Sequence, residues 1–71
     1  FGIRVNALAP GLTDTRMMRD NTDPTVIEET ISSTLLKRVG KSSEVSEVVL
    51  FLASSMSAYI TGQIIRVDGG M

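Results

Sequence analysis

Ile3-Arg4-Val5-Asn6-Ala7-Leu8-Ala9-Pro10-Gly11, followed at once by Leu12-Thr13-Asp14-Thr15, constrains this chain more than any other stretch. Apolar residues alternate through it with β-branched Ile3 and Val5 among them, which predicts a short buried strand. Pro10 brings no N–H to a ladder and Gly11 accepts positive φ, so the strand is expected to end there in a sharp turn. Thr13, Asp14 and Thr15 then supply short oxygen side chains just before a helix beginning at Arg16. Ligands of open α/β sheets bind beyond the carboxyl ends of strands, so a turn in this place is a candidate ligand contact.

The rest of the chain alternates helix and strand. One or two helical turns follow over Thr15 to Asp20, with Met17 and Met18 as gap-filling core residues. Asp23 as N-cap and Pro24 at N1 open a second helix, whose apolar positions Val26, Ile27, Ile31 and Leu35 carry it to Leu35 or Leu36. Lys37 and Arg38 in its last turn and Gly40 after it suit a helix end. A third helix opens at Lys41 to Ser43, capped by Ser42 or Ser43, with Glu44 in its first turn. Val45, Val48, Val49 and Leu52 give that helix one apolar stripe, while Leu50, Phe51 and Ala53 spread apolar surface round its other sides. A helix so apolar needs a second cover. Tyr59-Ile60-Thr61-Gly62 leads into a second strand, Gln63 to Val67, ended by Asp68-Gly69-Gly70, with Tyr59 expected to pack at the strand entrance. Strand, helices, strand is the order of a parallel α/β unit with a right-handed crossover.

Two strands do not make a stable sheet, and 71 residues with no Cys and no His have neither disulfide nor zinc site to brace a small core. Gly2 suits the C′ position of a helix that would precede Phe1, so the expectation is a piece of a larger α/β domain. Seven basic and eight acidic residues are dispersed along the chain, and two Phe, one Tyr and no Trp offer little for stacking bases. No nucleic-acid partner is expected. Apolar runs such as Val48 to Ala53 are far too short to cross a membrane, no signal peptide is recognisable, and the absence of Cys is compatible with a cytoplasmic setting.

Taken in order, Ile3-Arg4-Val5-Asn6, Ala9-Pro10-Gly11, Thr15, Met17, Arg38-Val39-Gly40, Glu44-Val45, Phe51-Leu52-Ala53-Ser54, Tyr59-Ile60-Thr61-Gly62-Gln63 and Val67-Asp68-Gly69-Gly70-Met71 resemble the C-terminal part of short-chain dehydrogenase/reductases, most of all the beta-ketoacyl carrier-protein reductases. The resemblance covers the whole chain. It implies the C-terminal fragment of a Rossmann-type doubly wound parallel sheet, here two strands with intervening helices, from an oxidoreductase using NADP or NAD. It further implies a small-molecule or acyl-carrier substrate and a homo-oligomer, dimer or tetramer, built through residues 43–54 and 63–67. By the same resemblance Pro10 and Gly11 lie against the nicotinamide, the backbone at Thr13 bonds its carboxamide, and the Thr15 hydroxyl reaches the carboxamide or the phosphate region. The family's glycine-rich loop and its Asn, Ser and Tyr-x-x-x-Lys catalytic positions would fall before Phe1. Tyr59 does not replace them, since the residue four places on is Gln63, which cannot lower a phenol pKa. No catalytic or metal-binding residue is therefore assigned within the chain, and the fragment alone is expected to be inactive. The reading from the residues without the resemblance leaves two alternatives: that Thr13, Asp14 and Thr15 are only helix caps, and that the chain is a stand-alone α/β module that dimerises without catalysis.

Overall fold

A computed structural model describes residues 2–71. The elements in chain order are β1 (Ala7–Pro10), β2 (Thr13–Asp14), α1 (Arg16–Asn21), α2 (Pro24–Ser33), β3 (Gly40–Lys41), α3 (Ser42–Ala53), a single 3-10 turn (Ser55–Ser57) and β4 (Ile64–Val67). β1 and β4 pair in parallel with Ala7 opposite Ile64 and Pro10 opposite Val67, and β2 pairs in parallel with β3, Thr13 opposite Gly40. The α/β class and the parallel pairing of the two long strands follow the sequence reading. The short β2–β3 pair was not foreseen, because two-residue strands carry no periodicity.

Several boundaries differ from the expectation, each for a local reason. β1 is confined to Ala7–Pro10 rather than starting at Ile3, because the chain before it is tied mostly by side chains, with a backbone bond from Gly62 N to Val5 O at 2.8 Å beside them, instead of by a regular ladder. Val5 N–H donates to Thr61 Oγ1 at 3.1 Å, and Asn6 stands in for a backbone unit, giving its amide to Ile60 O at 3.1 Å and accepting from Gln63 N at 3.1 Å. Pro10 closes β1 without loss, since the next ladder bond runs from Gly11 N to Val67 O at 2.9 Å. α2 stops at Ser33 and not at Leu35 or Leu36. Thr34 is buried, its hydroxyl donates to Ile31 O at 2.9 Å and accepts from Lys37 N at 2.8 Å, and this local bonding competes with another helical turn. The left-handed residue of the turn is Lys37, φ 57°, while Gly40 belongs to β3. At the start of α3 the N-cap is Lys41, so neither Ser42 nor Ser43 takes that role, and Glu44 reaches back to accept from Lys41 N at 2.9 Å.

The expected burial of the apolar strands and helix faces is not met within this chain. Among the described residues no hydrophobic side chain is buried, and only Thr34 and Ser57 are. Ile3 is 79% exposed, Val5 71% and Leu50 71%, and Tyr59, expected to pack, is fully exposed. The accessible surface is 5486 Å², against about 4,300 Å² for a compact monomer of this mass. The radius of gyration is 14.3 Å, against about 11 Å for a compact domain of this length. The shape is elongated, 47 × 23 × 15 Å, and apolar surface is left open along it. β1–β4 and α3 each present apolar faces that nothing in this chain covers.

Candidate functional site: the turn after the first strand

β1 delivers Pro10 and Gly11 to the carboxyl edge of the two-stranded sheet, and β4 delivers Val67 and Asp68 beside them. The turn is tight for a reason the sequence did not disclose. Gly11 does not have positive φ; it is glycine because of space, since a Cβ built there would lie 2.7 Å from Asp68 Cβ and 2.8 Å from Asp68 Cα. Thr13 Oγ1 donates back to Gly11 O at 3.1 Å, so its side chain braces the turn. Thr15 is the N-cap of α1, its Oγ1 accepting from Met18 N at 3.1 Å, which leaves the hydroxyl proton free to donate outward. Asp14, between them, pairs with Arg19 at 3.0 Å. The capping role weighed for Thr15 is thus present, and it is compatible with a further contact. Pro10, Gly11, Thr13 and Thr15 are brought together on one turn.

Behind the turn stands a second structure built from the chain's last residues. Asp68 Oδ1 accepts from Gly70 N at 3.0 Å and from Met71 N at 3.3 Å, and its other oxygen pairs with Arg66 at 2.9 Å. These two amides, then the Arg66 charge, hold the Asp68 carboxyl below its ordinary range. Gly69 and Gly70 take φ of 65° and 82°, a conformation that costs glycine nothing. Their carbonyls accept from Leu36 N at 3.0 Å and Leu35 N at 3.2 Å, so the exit of α2 is clasped to the end of the chain.

A cleft of about 400 Å³ adjoins this clasp, lined mainly by Leu12, Leu35, Leu36, Val45 and Val67 with Arg38 and Glu44 at its rim. It holds none of Pro10, Gly11, Thr13 and Thr15. Its charges are consumed in pairs: Arg38 grips Glu44 through both carboxylate oxygens, at 2.7 and 2.8 Å. That guanidinium, with the Lys41 amide, lowers the Glu44 pKa to about 2, and the carboxylate in turn raises that of Arg38. A group held so firmly ionised is a poor general acid or base near neutrality. The cleft therefore offers apolar surface and no proton-transfer chemistry.

The sequence reading passed over Arg4, which does much of the positioning. Its guanidinium donates to Ser57 O at 2.9 Å, Ser57 Oγ at 3.0 Å, Ile60 O at 3.3 Å and Ser54 O at 3.2 Å. Buried Ser57 also donates to Leu52 O at 3.0 Å, so one cation gathers carbonyls at and beyond the end of α3, which also accept from Ser57 N, Ile60 N and the Asn6 amide, and ties them to the segment leading into β1. The available signal was a cation set between two β-branched residues, which must find acceptors if any part of it is covered.

Comparison with known proteins places this geometry. The family described as enoyl-(acyl carrier protein) reductase matches residues 1–71. Over 69 residues the chain is 48% identical to the 3-oxoacyl-[acyl-carrier-protein] reductase of Thermotoga maritima, covering 97% of this chain and 28% of that protein. A crystal structure of the 3-oxoacyl-[acyl-carrier protein] reductase from Brucella melitensis superposes with a TM-score of 0.91 at 41% identity, covering 99% of this chain and 26% of that one. Another reductase structure of that name and organism, with bound NAD, gives a TM-score of 0.86 at 40% identity over 99% of this chain and 24% of that one. The chain thus spans about a quarter of the length of these relatives. With the whole chain matched by the family and its parallel strands and helices superposing on reductase structures, the protein belongs to the short-chain dehydrogenase/reductase family as a piece of the Rossmann-type fold.

Proposed function

We propose that residues 1–71 form the C-terminal segment of a single Rossmann-type domain in an NAD(P)-dependent oxidoreductase, and that the Pro10–Thr15 turn is its contact with the nicotinamide end of the cofactor. The observation that carries the reading is the turn itself, at the carboxyl edge of parallel β1–β4, where open α/β sheets bind ligands. Its groups fit such a ligand. Pro10 and Gly11 offer a narrow apolar face, backbone groups follow at Leu12 and Thr13, and the Thr15 hydroxyl has a proton to donate. The cofactor, when bound, would give a hydride to a carbonyl carbon in its reduced form or take one from an alcohol carbon in its oxidised form. The chain's own part is to seat the nicotinamide ring, with Pro10 and Gly11 against it, the Thr13 backbone and the Thr15 hydroxyl orienting its carboxamide, and Thr13 Oγ1 stiffening the turn. Proton transfer belongs to residues outside this segment.

The substrate we assign is a 3-oxoacyl thioester on a carrier, in keeping with the relatives' names. Exposed Leu50 and Phe51 on α3, together with β4, form the surface through which the whole enzyme assembles as a dimer or tetramer. A stand-alone dimerisation module is disfavoured by the absence of any buried apolar side chain among the described residues, since such a module must first fold. The test is a chimera in which this chain replaces the matching stretch of the Thermotoga maritima reductase. The expected result is NAD(P)H-dependent reduction of a 3-oxoacyl thioester within about tenfold of the unmodified enzyme, as a correctly seated turn requires. A soluble, folded chimera with no turnover overturns the proposal.

A further inference from the structure

Two anchors fix the α1–α2 arm, residues 16–33, to the rest of the chain, and one residue touches both. At its entrance lies the Gly11 turn, closed by Thr13 and the Thr15 cap. At its exit, Leu35 and Leu36 hang by their amides on the carbonyls of Gly70 and Gly69. Asp68 stands between these anchors. Its Cα and Cβ occupy the space a side chain on Gly11 would need, and its carboxylate bonds the Gly70 and Met71 amides. Those bonds set the left-handed Gly69–Gly70 turn and so aim the two carbonyls at Leu35 and Leu36. The Asp68 side chain is only 13% exposed, against 66% for its partner Arg66, so the amide contacts and not the rim ion pair define its place.

We propose that Asp68 is a positioning residue, which couples the nicotinamide-side turn at Gly11 to the exit of the α1–α2 arm and so fixes the gap in which cofactor head and substrate meet. The inference rests on the oxidoreductase reading above. It goes beyond that reading by giving a role to a carboxylate that lies outside the Pro10–Thr15 turn. An ordinary structural acid, when removed, loosens the whole protein and weakens every ligand alike. A residue that holds only the nicotinamide-side turn spares the other end of the cofactor.

The experiment uses the chimera with wild-type residues, with Asp68→Asn and with Asp68→Ala. The KM for the reduced cofactor it turns over is compared with the inhibition constant of the matching adenosine diphosphoribose, which lacks the nicotinamide. Asp68→Ala is expected to raise the cofactor KM tenfold or more and lower kcat, with the adenosine diphosphoribose constant changed less than twofold. Asp68→Asn keeps an oxygen for both amides and is expected to restore KM to within threefold of wild type. If Asp68→Ala does not fold, Asp68→Ser, whose hydroxyl is too short to span both amides, carries the same expectation. A cofactor KM within twofold of wild type overturns the proposal. So does a parallel rise in the adenosine diphosphoribose constant, or an Asn variant as impaired as Ala. An inactive wild-type chimera strikes the oxidoreductase reading instead, and is told apart because it precedes any substitution at Asp68.

Discussion

Gly11→Ala in the chimera tests whether the turn is held by contact with Asp68 or merely tolerates it. The added methyl would sit 2.7 Å from Asp68 Cβ and 2.8 Å from Asp68 Cα. Ordinary van der Waals contact begins at 3.4 Å, so the turn and the end of β4 must part by 3.4 − 2.7 = 0.7 Å. One obstacle is backbone, which no rotamer change relieves. Replacing Gly by Ala at ordinary φ gains about 0.4–1 kcal/mol from the unfolded chain, whereas overpacking costs about 1–3 kcal/mol. Those ranges leave a net destabilisation between about 0 and 2.6 kcal/mol, about 1.3 kcal/mol at their centres, or a fall in Tm there of roughly 3–5 °C for an enzyme of some 250 residues. The functional effect is larger. A displacement of about 1 Å at a positioning element costs roughly a hundredfold, so 0.7 Å predicts a loss in kcat/KM on the order of tenfold to fiftyfold. Gly40→Ala is the control, since a Cβ there meets only Leu12 O at 3.7 Å and φ is not positive. It should leave Tm and kcat/KM unchanged or slightly raise Tm. Calorimetry and steady-state kinetics of the two variants decide the matter. If Gly11→Ala keeps kcat/KM within twofold and Tm within about 1 °C, as a site with room for a methyl would, the close approach of Gly11 and Asp68 does not constrain the turn.

Other expectations are as direct. Phe51, 38% exposed on α3 beside Leu50, should become a barrier to assembly as Phe51→Glu, because each copy would bring an unpaired carboxylate into a desolvated contact; sedimentation at low micromolar concentration should show dissociation, and an unchanged oligomer removes α3 from the interface. The isolated 71-residue chain should show no saturable NADPH binding by titration calorimetry in the micromolar range, since the turn alone has no hold on the rest of the cofactor. The same chain, with no buried apolar side chain among its described residues, should associate or remain partly unfolded, and a sharp, concentration-independent melt of a monomer would contradict this. Glu44, lowered from 4.5 to about 2 by Arg38 and the Lys41 amide, binds protons less readily folded than unfolded. Its contribution to the start of α3 should therefore be complete above pH 4.5 and disappear as pH falls through about 2. A carboxyl NMR titration of Glu44 in the chimera with a midpoint at 4 or above would show the pair broken in solution.

The sequence by itself determined the features that depend on near neighbours. Pro10 and Gly11 ended a strand, Thr15 and Asp23 capped helices, Pro24 opened α2, and the apolar, β-branched run through Ile64 to Val67 made β4 a strand. The order of these elements fixed the parallel α/β class, and the ordered motifs fixed the family. Residue types alone marked a strand end, a turn and helix caps there, because turn chemistry is written in short stretches, while Pro10, Gly11, Thr13 and Thr15 were named as cofactor contacts by the family resemblance.

What only the tertiary structure decided depends on residues far apart in the chain. That Gly11 is glycine for want of space rather than for its φ follows from Asp68, fifty-seven places on, and no local pattern carries it. The early end of α2 follows from Thr34 and the Gly69–Gly70 clasp, which outbid a periodicity running on to Leu35. Arg4 gained its role from carbonyls at Ser54, Ser57 and Ile60, which the turns after α3 bring together fifty or more places along the chain from it. The apolar faces of α3 and β1, legible as surfaces that must be covered, remain exposed here. Hydrophobic pattern states that a face has to be buried, and tertiary and quaternary packing alone decide what buries it.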